Sequence, residues 1–218
     1  MYEKGVETKN HIYTIAKELY YEYGYKKTTM RIIAEHANVP IALITYYFKS
    51  KDNIVKDIYT DYIKNIYTFL DSVTEGNIKS SLLRHTISSR IYYKNILENE
   101  KNSRFCYELT LKHSNYGILY YNVKKTYRRI LNEFSIFLPS EEYKAYIISE
   151  FGARQELLLN YFSGDLNFTI QELVDVIVCI APRLFKIDYN IINSVLYSSM
   201  SIYKSLDNRN LEKVKFLV

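Results

Sequence analysis

The sequence predicts an all-α protein: an N-terminal three-helix helix-turn-helix unit followed by a larger helical domain. Three observations carry that expectation. Apolar residues recur at helical spacing, as in Ile12, Ile15, Ala16, Leu19 and Tyr23, which share one helix face. The breaks between such stretches carry helix-stop and helix-start chemistry, as at Gly24, Ser50, Pro139-Ser140 and Gly164-Asp165. No strand-like alternation bounded by hairpin turns is present.

In chain order, the residues before Lys9 read as a frayed lead-in, and a first helix runs from about Lys9 to Tyr23, stopped by Gly24. Thr28 or Thr29 caps a short helix whose Met30, Ile33, Ala34 and Ala37 fall at helical spacing. Asn38 tolerates the left-handed conformation that a tight turn needs, and Pro40 suits a helix start, where a missing N–H does no harm. The next short helix turns Val39, Ile44 and Phe48 inward. Two helices joined in this way form a helix-turn-helix, whose second member can enter a DNA major groove. Ser50 caps a fourth helix with Asp52 in its first turn, running to about Val73 with Ile54, Ile58, Ile66 and Leu70 on its apolar side. Beyond Gly76-Asn77, helices are expected near 78–100, 103–114, 117–137, 140–163, 169–186 and 190–206. Pro182 should kink or end its helix, and the residues from Asp207 onward read as a polar, loosely held tail.

Composition bounds the function classes. A chain of 218 residues can bury a substantial core, and 48% hydrophobic with 24% charged residues is ordinary for a soluble globular protein. The net charge of +5 does not by itself identify a nucleic-acid binder, although Met1 to Lys56 holds nine Lys/Arg against six Asp/Glu. Cys106 and Cys179 make neither a disulfide framework nor a metal set, so a reducing, cytoplasmic setting is the simplest reading. No signal peptide and no membrane-length apolar run are read. The four histidines are scattered, no Gly-rich phosphate loop exists, and Cys106 with His113 lacks a third orienting group. No catalytic residue, metal or cofactor is therefore expected, and the chain reads as a non-enzyme.

Thr28-Thr29, Ile33-Ala34, Ala37, Val39 and the run Tyr46-Tyr47-Phe48-Lys49-Ser50-Lys51, extended upstream through Ile15-Ala16 to Tyr23-Gly24-Tyr25, resemble the DNA-binding segment of the tetracycline-repressor (TetR) family of transcriptional regulators. The resemblance covers about the first quarter of the chain. It implies a DNA-binding domain over 1–51 and a helical effector-binding and dimerisation domain over 52–218. The chain departs from the family pattern at Asn38, where a glycine is usual, at Pro40-Ile41-Ala42-Leu43, and at Thr45, where a tyrosine is usual.

Carried over position by position, the resemblance assigns Thr28, Thr29, Tyr46, Tyr47 and Lys51 to phosphate contacts, with Arg31 at the groove margin. Ile41, Ala42, Leu43 and Thr45 take the base-facing positions, where apolar groups can meet thymine methyls. It further implies an effector cavity among the helices from 52 to 163, with Tyr93, Tyr107, Thr110, Leu111 and Tyr120 as walls and an apolar or aromatic guest. A Glu108 carboxylate beside those rings would also suit a cationic guest. Two late apolar helices imply a homodimer through Phe151, Leu158, Ile177 and Leu184, with Gly152-Ala153 allowing close approach. The leading reading is a homodimeric repressor released from operator DNA by a small molecule. The alternative is a helical ligand-binding or interaction protein of the same fold without sequence-specific DNA binding, motivated by the apolar Pro40–Leu43 stretch.

Overall fold

The structure, a computed structural model, describes residues 2–112, 115–206, 211 and 214–218. Among them are ten helices and no strand: α1 Tyr2–Lys27, α2 Met30–His36, α3 Ile41–Phe48, α4 Lys51–Val73, α5 Ser81–Leu97, α6 Glu100–Leu111, α7 Asn115–Glu133, α8 Ser140–Ser163, α9 Ile170–Leu184 and α10 Tyr189–Ser205. Side-chain caps hold several of them, the expected Thr29 and Ser50 included. Thr29 and Ser50 accept the backbone N–H of Ile32 and Asn53, and Thr169 with Glu172 forms a reciprocal capping box.

Two expectations about boundaries are corrected. The lead-in is not frayed: α1 is helical from Tyr2, and its first turns run beside α3, where a Cβ on Gly5 would meet the Tyr47 hydroxyl at 3.5 Å. The seventh helix ends at Glu133 rather than near 137, because Ser135 adopts a left-handed conformation (φ 53) and Ile136 N–H closes back on the Leu131 carbonyl. Pro182 lies two residues before the end of α9 and stops it without a break.

The polar tail is the largest correction. Residues 207–210, 212 and 213 lie outside the described residues, but Leu211, Val214, Phe216 and Leu217 are buried. The Asn95 amide donates to the Val214 carbonyl at 2.6 Å, pinning the chain against α5. Phe216 then fills the space between α4 and α6, with ring centroids 4.9 Å from Tyr59, 5.0 Å from Tyr62 and 5.8 Å from Phe105. Apolar residues spaced without a helical or strand period left no pattern by which the sequence could announce this insertion.

Helix α5 is the hub, packed by α4, α6, α7, α9 and α10. Its Arg90 is fully buried and ties three elements together. Nε donates to Ser199 Oγ (3.0 Å), Nη1 to Gln171 Oε1 (3.0 Å), and Nη2 to Asp175 Oδ1 (2.5 Å) and the Leu196 carbonyl (3.3 Å). A buried guanidinium is tolerated only with its donors answered in this way. Helices α1, α2 and α3 pack on one another and on the start of α4, which runs unbroken from them into the larger helical part.

If Phe216 is part of the core, Phe216→Ala should cost roughly 3–5 kcal/mol of stability in urea denaturation, the range for truncating a buried aromatic. A loss below about 1 kcal/mol would mean that the tail is not held.

Candidate DNA-facing surface and effector cavity

The helix-turn-helix is built as its sequence requires. Asn38 adopts φ 51, and Val39 N–H returns to the Ala34 carbonyl at 3.0 Å, closing the turn. Ile33, Ala34, Ala37, Ile44 and Phe48 are buried, which fixes the rotation of α3 about its axis. The opposite face is therefore presented outward. Tyr46 is 76% exposed, Ile41 49%, and Ala42 and Thr45 are also exposed, while Leu43 and Tyr47 are half-buried. Thr45 Oγ1 donates to its own helix at the Ile41 carbonyl (3.2 Å), and Tyr46 and Tyr47 stack edge to face with centroids 5.1 Å apart. Thr29 and Arg31 are exposed beside this face, Arg31 paired with Glu35 at 3.0 Å.

Two of the residues expected to touch phosphate are turned elsewhere. Thr28 is fully buried, and its hydroxyl donates to the Leu19 and Gly24 carbonyls. Lys51 spends its ammonium on the Tyr25 (2.9 Å) and Thr28 (3.1 Å) carbonyls and lies 3.8 Å above the Tyr25 ring. Both residues close the end of α1, where Gly24 breaks the helix with φ 78. Orphan carbonyls at a helix end need donors, and Lys51 supplies them. Burial, with the neighbouring Lys112, lowers its pKa.

The same corner joins the helix-turn-helix unit to α6. The Tyr25 hydroxyl donates to Asp52, and Lys112 Nζ donates to both, at 2.5 Å to Tyr25 and 3.0 Å to Asp52 Oδ2. Burial alone would raise the Asp52 pKa, but the Tyr25 hydroxyl and the Lys112 ammonium outweigh it and hold the carboxyl below its usual range. Glu108 accepts the Lys26 N–H at 2.6 Å and crowds Gly24, where a Cβ would come within 2.8 Å of its carboxylate. Glu108 is therefore a structural partner of α1 and not a wall for a cation.

A cavity of about 70 Å³ lies between α4, α5, α7, α8 and α9. Helix α4 contributes Ile63, Ile66 and Tyr67, and α5 contributes His85, Ser88, Ser89, Tyr92 and Tyr93. Leu119, Asn122, Val123 and Thr126 come from α7, Arg154 from α8, and Ile177 and Val178 from α9. Of the expected walls only Tyr93 lines it. Tyr107 and Leu111 point outward from α6, Tyr107 against Phe162 with centroids 5.2 Å apart. Thr110 is buried with its hydroxyl on the Cys106 carbonyl, and Tyr120 lies outside the cavity wall beside Lys124. His113 lies outside the described residues.

Sequence reasoning missed the polar wall. His85, Ser88, Ser89 and Tyr92 follow one face of α5, and Glu150 with Arg154 interrupts the apolar face of α8. Arg154 Nε and Nη2 donate to Glu150, and Nη2 also reaches the Tyr127 hydroxyl at 3.2 Å. His85 packs edge on against Tyr127, with centroids 5.7 Å apart. Burial, helped by the Arg154 charge, lowers its pKa to about 4, so it is neutral at pH 7. Charged or titratable residues on the inward face of a helix were the available signal.

The expected dimer residues also need correction. Phe151, Leu158 and Ile177 are buried within their own chain, Ile177 in the cavity wall, and they offer no surface to a second copy. Leu184 is half-buried. The apolar sides of α8 and α9 are taken up by packing on each other, α5 and α6.

A sequence profile described as "Bacterial regulatory proteins, tetR family" matches residues 12–58, the helices α1 to α4 that carry this surface. Residues 12–58 are thus a tetR-type helix-turn-helix segment. It is similar to two Bacillus subtilis (strain 168) proteins of this type. "Probable HTH-type transcriptional regulator YttP" is 28% identical over 155 residues, covering 69% of this chain and 67% of that one. "Uncharacterized HTH-type transcriptional regulator YvkB" is 36% identical over 76 residues, 35% of this chain and 40% of that protein. Its fold is that of RolR, solved in complex with resorcinol, with a TM-score of 0.60 at 16% identity over 90% of this chain and 96% of that one. The chain is a transcriptional regulator of TetR type, and none of its described helices is long and apolar enough to cross a membrane.

The His85 shift has a sign. Its folded pKa lies below the unfolded value, so the unfolded chain takes the proton first and stability falls with pH between about 6.5 and 4. Against His85→Phe, the wild type should lose about 3 kcal/mol more in urea denaturation between pH 7 and pH 4. Parallel pH profiles would show that His85 is not sealed from water.

Proposed function

We propose that this regulator is a homodimeric repressor of the cytoplasm that leaves its operator when a small molecule fills the cavity described above. The observation that carries the proposal is the locked rotation of α3, which presents Ile41, Ala42, Thr45 and Tyr46 outward while Ile44 and Phe48 anchor it. A division at 51/52 into DNA-binding and effector-binding parts fits this reading. Ile41, Ala42, Leu43 and Thr45 face base edges, with thymine methyls as the apolar partners, while Thr29, Arg31, Tyr46 and Tyr47 bond the backbone. A short recognition helix buries little, so two half-sites about 34 Å apart must be gripped together by a dimer. Its interface is assigned to the outer side of α8 and α9, where Ile148 and Val176 are exposed and Gly152 has open space around it.

Release follows by linkage. Ile63, Ile66 and Tyr67 of α4 line the cavity, and Lys51 and Asp52 at the start of the same helix hold the corner of α1. A guest that fits better when α4 is displaced weakens DNA binding by its own preference between the two states. The effector is apolar or aromatic, as suits the Ile, Leu, Val and Tyr walls, and RolR was solved with the aromatic resorcinol.

Binding to AT-rich and random duplexes at two salt concentrations tests the reading. Tyr46→Phe should weaken binding to all sequences alike, whereas Ile41→Ala should shift preference among sites by about 1 kcal/mol. Weak binding with no sequence preference in the wild type would favour the alternative, a helical ligand-binding protein without an operator.

A further inference from the structure

The polar groups of the cavity wall, the Tyr92 and Tyr93 hydroxyls apart, divide into two sets. Ser89, Asn122, Thr126 and Tyr67 are answered within the protein: Ser89 by the His85 carbonyl, and the other three by a chain through Thr60 and the Asn122 carbonyl. Ser88, His85 and Arg154 are not fully answered. Ser88 Oγ is buried without a hydrogen-bond partner, and the His85 ring nitrogens and Arg154 Nη1 hold no protein hydrogen bond among the described residues. A buried polar group is normally bonded, so the unpartnered Ser88 hydroxyl, with His85 and Arg154 on the same cavity wall, marks where a guest's polar atoms belong.

The kind of guest follows from what the set can give. Arg154 Nη1 can only donate, Ser88 can do either, and a neutral imidazole keeps one nitrogen as an acceptor. One hydroxyl meets all three roles, since its oxygen accepts and its hydrogen donates. Charge narrows the choice further. The Arg154 charge is already balanced by Glu150, and His85 is neutral, so the wall has no net charge with which to hold an ion taken out of water. Size narrows it again. At about 70 Å³ the cavity is far smaller than drug-sized sites and under half the roughly 150 Å³ that takes a single benzene ring, so a guest is no larger than one ring and widens the cavity as it enters, as the displacement of α4 proposed above allows. The remaining walls, Ile63, Ile66, Leu119, Val123 and Tyr93, suit the face and edge of one ring.

We infer that the occupant is a neutral one-ring hydroxyaromatic molecule, its hydroxyl bonded by Arg154, Ser88 and His85. This rests on the effector-cavity reading above and adds the charge state and hydrogen-bonding pattern of the guest.

Calorimetry on the full chain at pH 7 tests it with phenol, toluene, anisole, benzoate and benzylammonium. Phenol should bind at least about tenfold more tightly than toluene, which lacks the hydroxyl, or anisole, which can accept but not donate. Benzoate and benzylammonium should be weaker than phenol, because each brings an unbalanced charge. Ser88→Ala and His85→Phe should each lower phenol affinity toward that of toluene, and toluene binding to Ser88→Ala should stay within about twofold of wild type. Toluene equal to phenol, or either ion tighter than phenol, overturns the inferred class while leaving the cavity as a binding site. If none of the five binds, the effector-cavity reading falls, and the inference with it.

Discussion

A column of touching rings holds the two ends of this molecule in register. Tyr20 on α1 meets Phe105 on α6 (5.1 Å), Phe105 meets Phe216 of the tail (5.8 Å), and Phe216 meets Tyr59 and Tyr62 on α4. Tyr62 then meets Tyr92 (5.6 Å), which packs on Tyr93 at the cavity wall (4.9 Å). Each such pair adds about 0.5–1.5 kcal/mol beyond the area it buries. Geometry matters as much as energy here, because close-packed rings transmit displacement and do not absorb it. The cavity and the helix-turn-helix unit are thus parts of one packed body, and the tail residues around Phe216 are its middle link.

Polar anchors fix what the rings leave free. Arg90 sets the positions of α5, α9 and α10 around a single guanidinium. Tyr25, Asp52 and Lys112 do the same where α1, α4 and α6 meet, and Lys51 closes the end of α1 from the adjoining position. Helix α4 takes part in both the corner and the cavity. A rigid helix of this length carries a tilt at one end to the other, over roughly 24 Å from Tyr67 to Lys51.

The helices were legible because apolar period and caps are local properties. Ser50 and Pro139-Ser140 marked starts within a residue or two, and Ile44 and Phe48 gave the rotation of α3. What failed was choosing between two plausible uses of one residue type. Lys51 suits a phosphate as well as a helix-end carbonyl, and only the fold at Gly24 decides for the carbonyl. Ile177 and Leu158 looked like interface because nothing in a helical pattern says which apolar face meets its own chain. Tyr107 and Tyr120 read as cavity walls ahead of His85 and Arg154 because a tyrosine offers a ring and a hydroxyl together. The more telling sign was a charge on an inward face, Arg154 with Glu150 on α8. Phe216 had no pattern around it.

The central claim is that cavity and DNA-facing helices are energetically coupled. Coupling of this kind is reciprocal, so it can be read from the cavity side alone. The decisive measurement is the affinity of the protein for phenol, by calorimetry, with and without a saturating duplex selected for tight binding. The account predicts that bound DNA weakens phenol by the same factor by which phenol weakens DNA, at least about fivefold. Equal phenol affinity in the free and DNA-bound protein would contradict it.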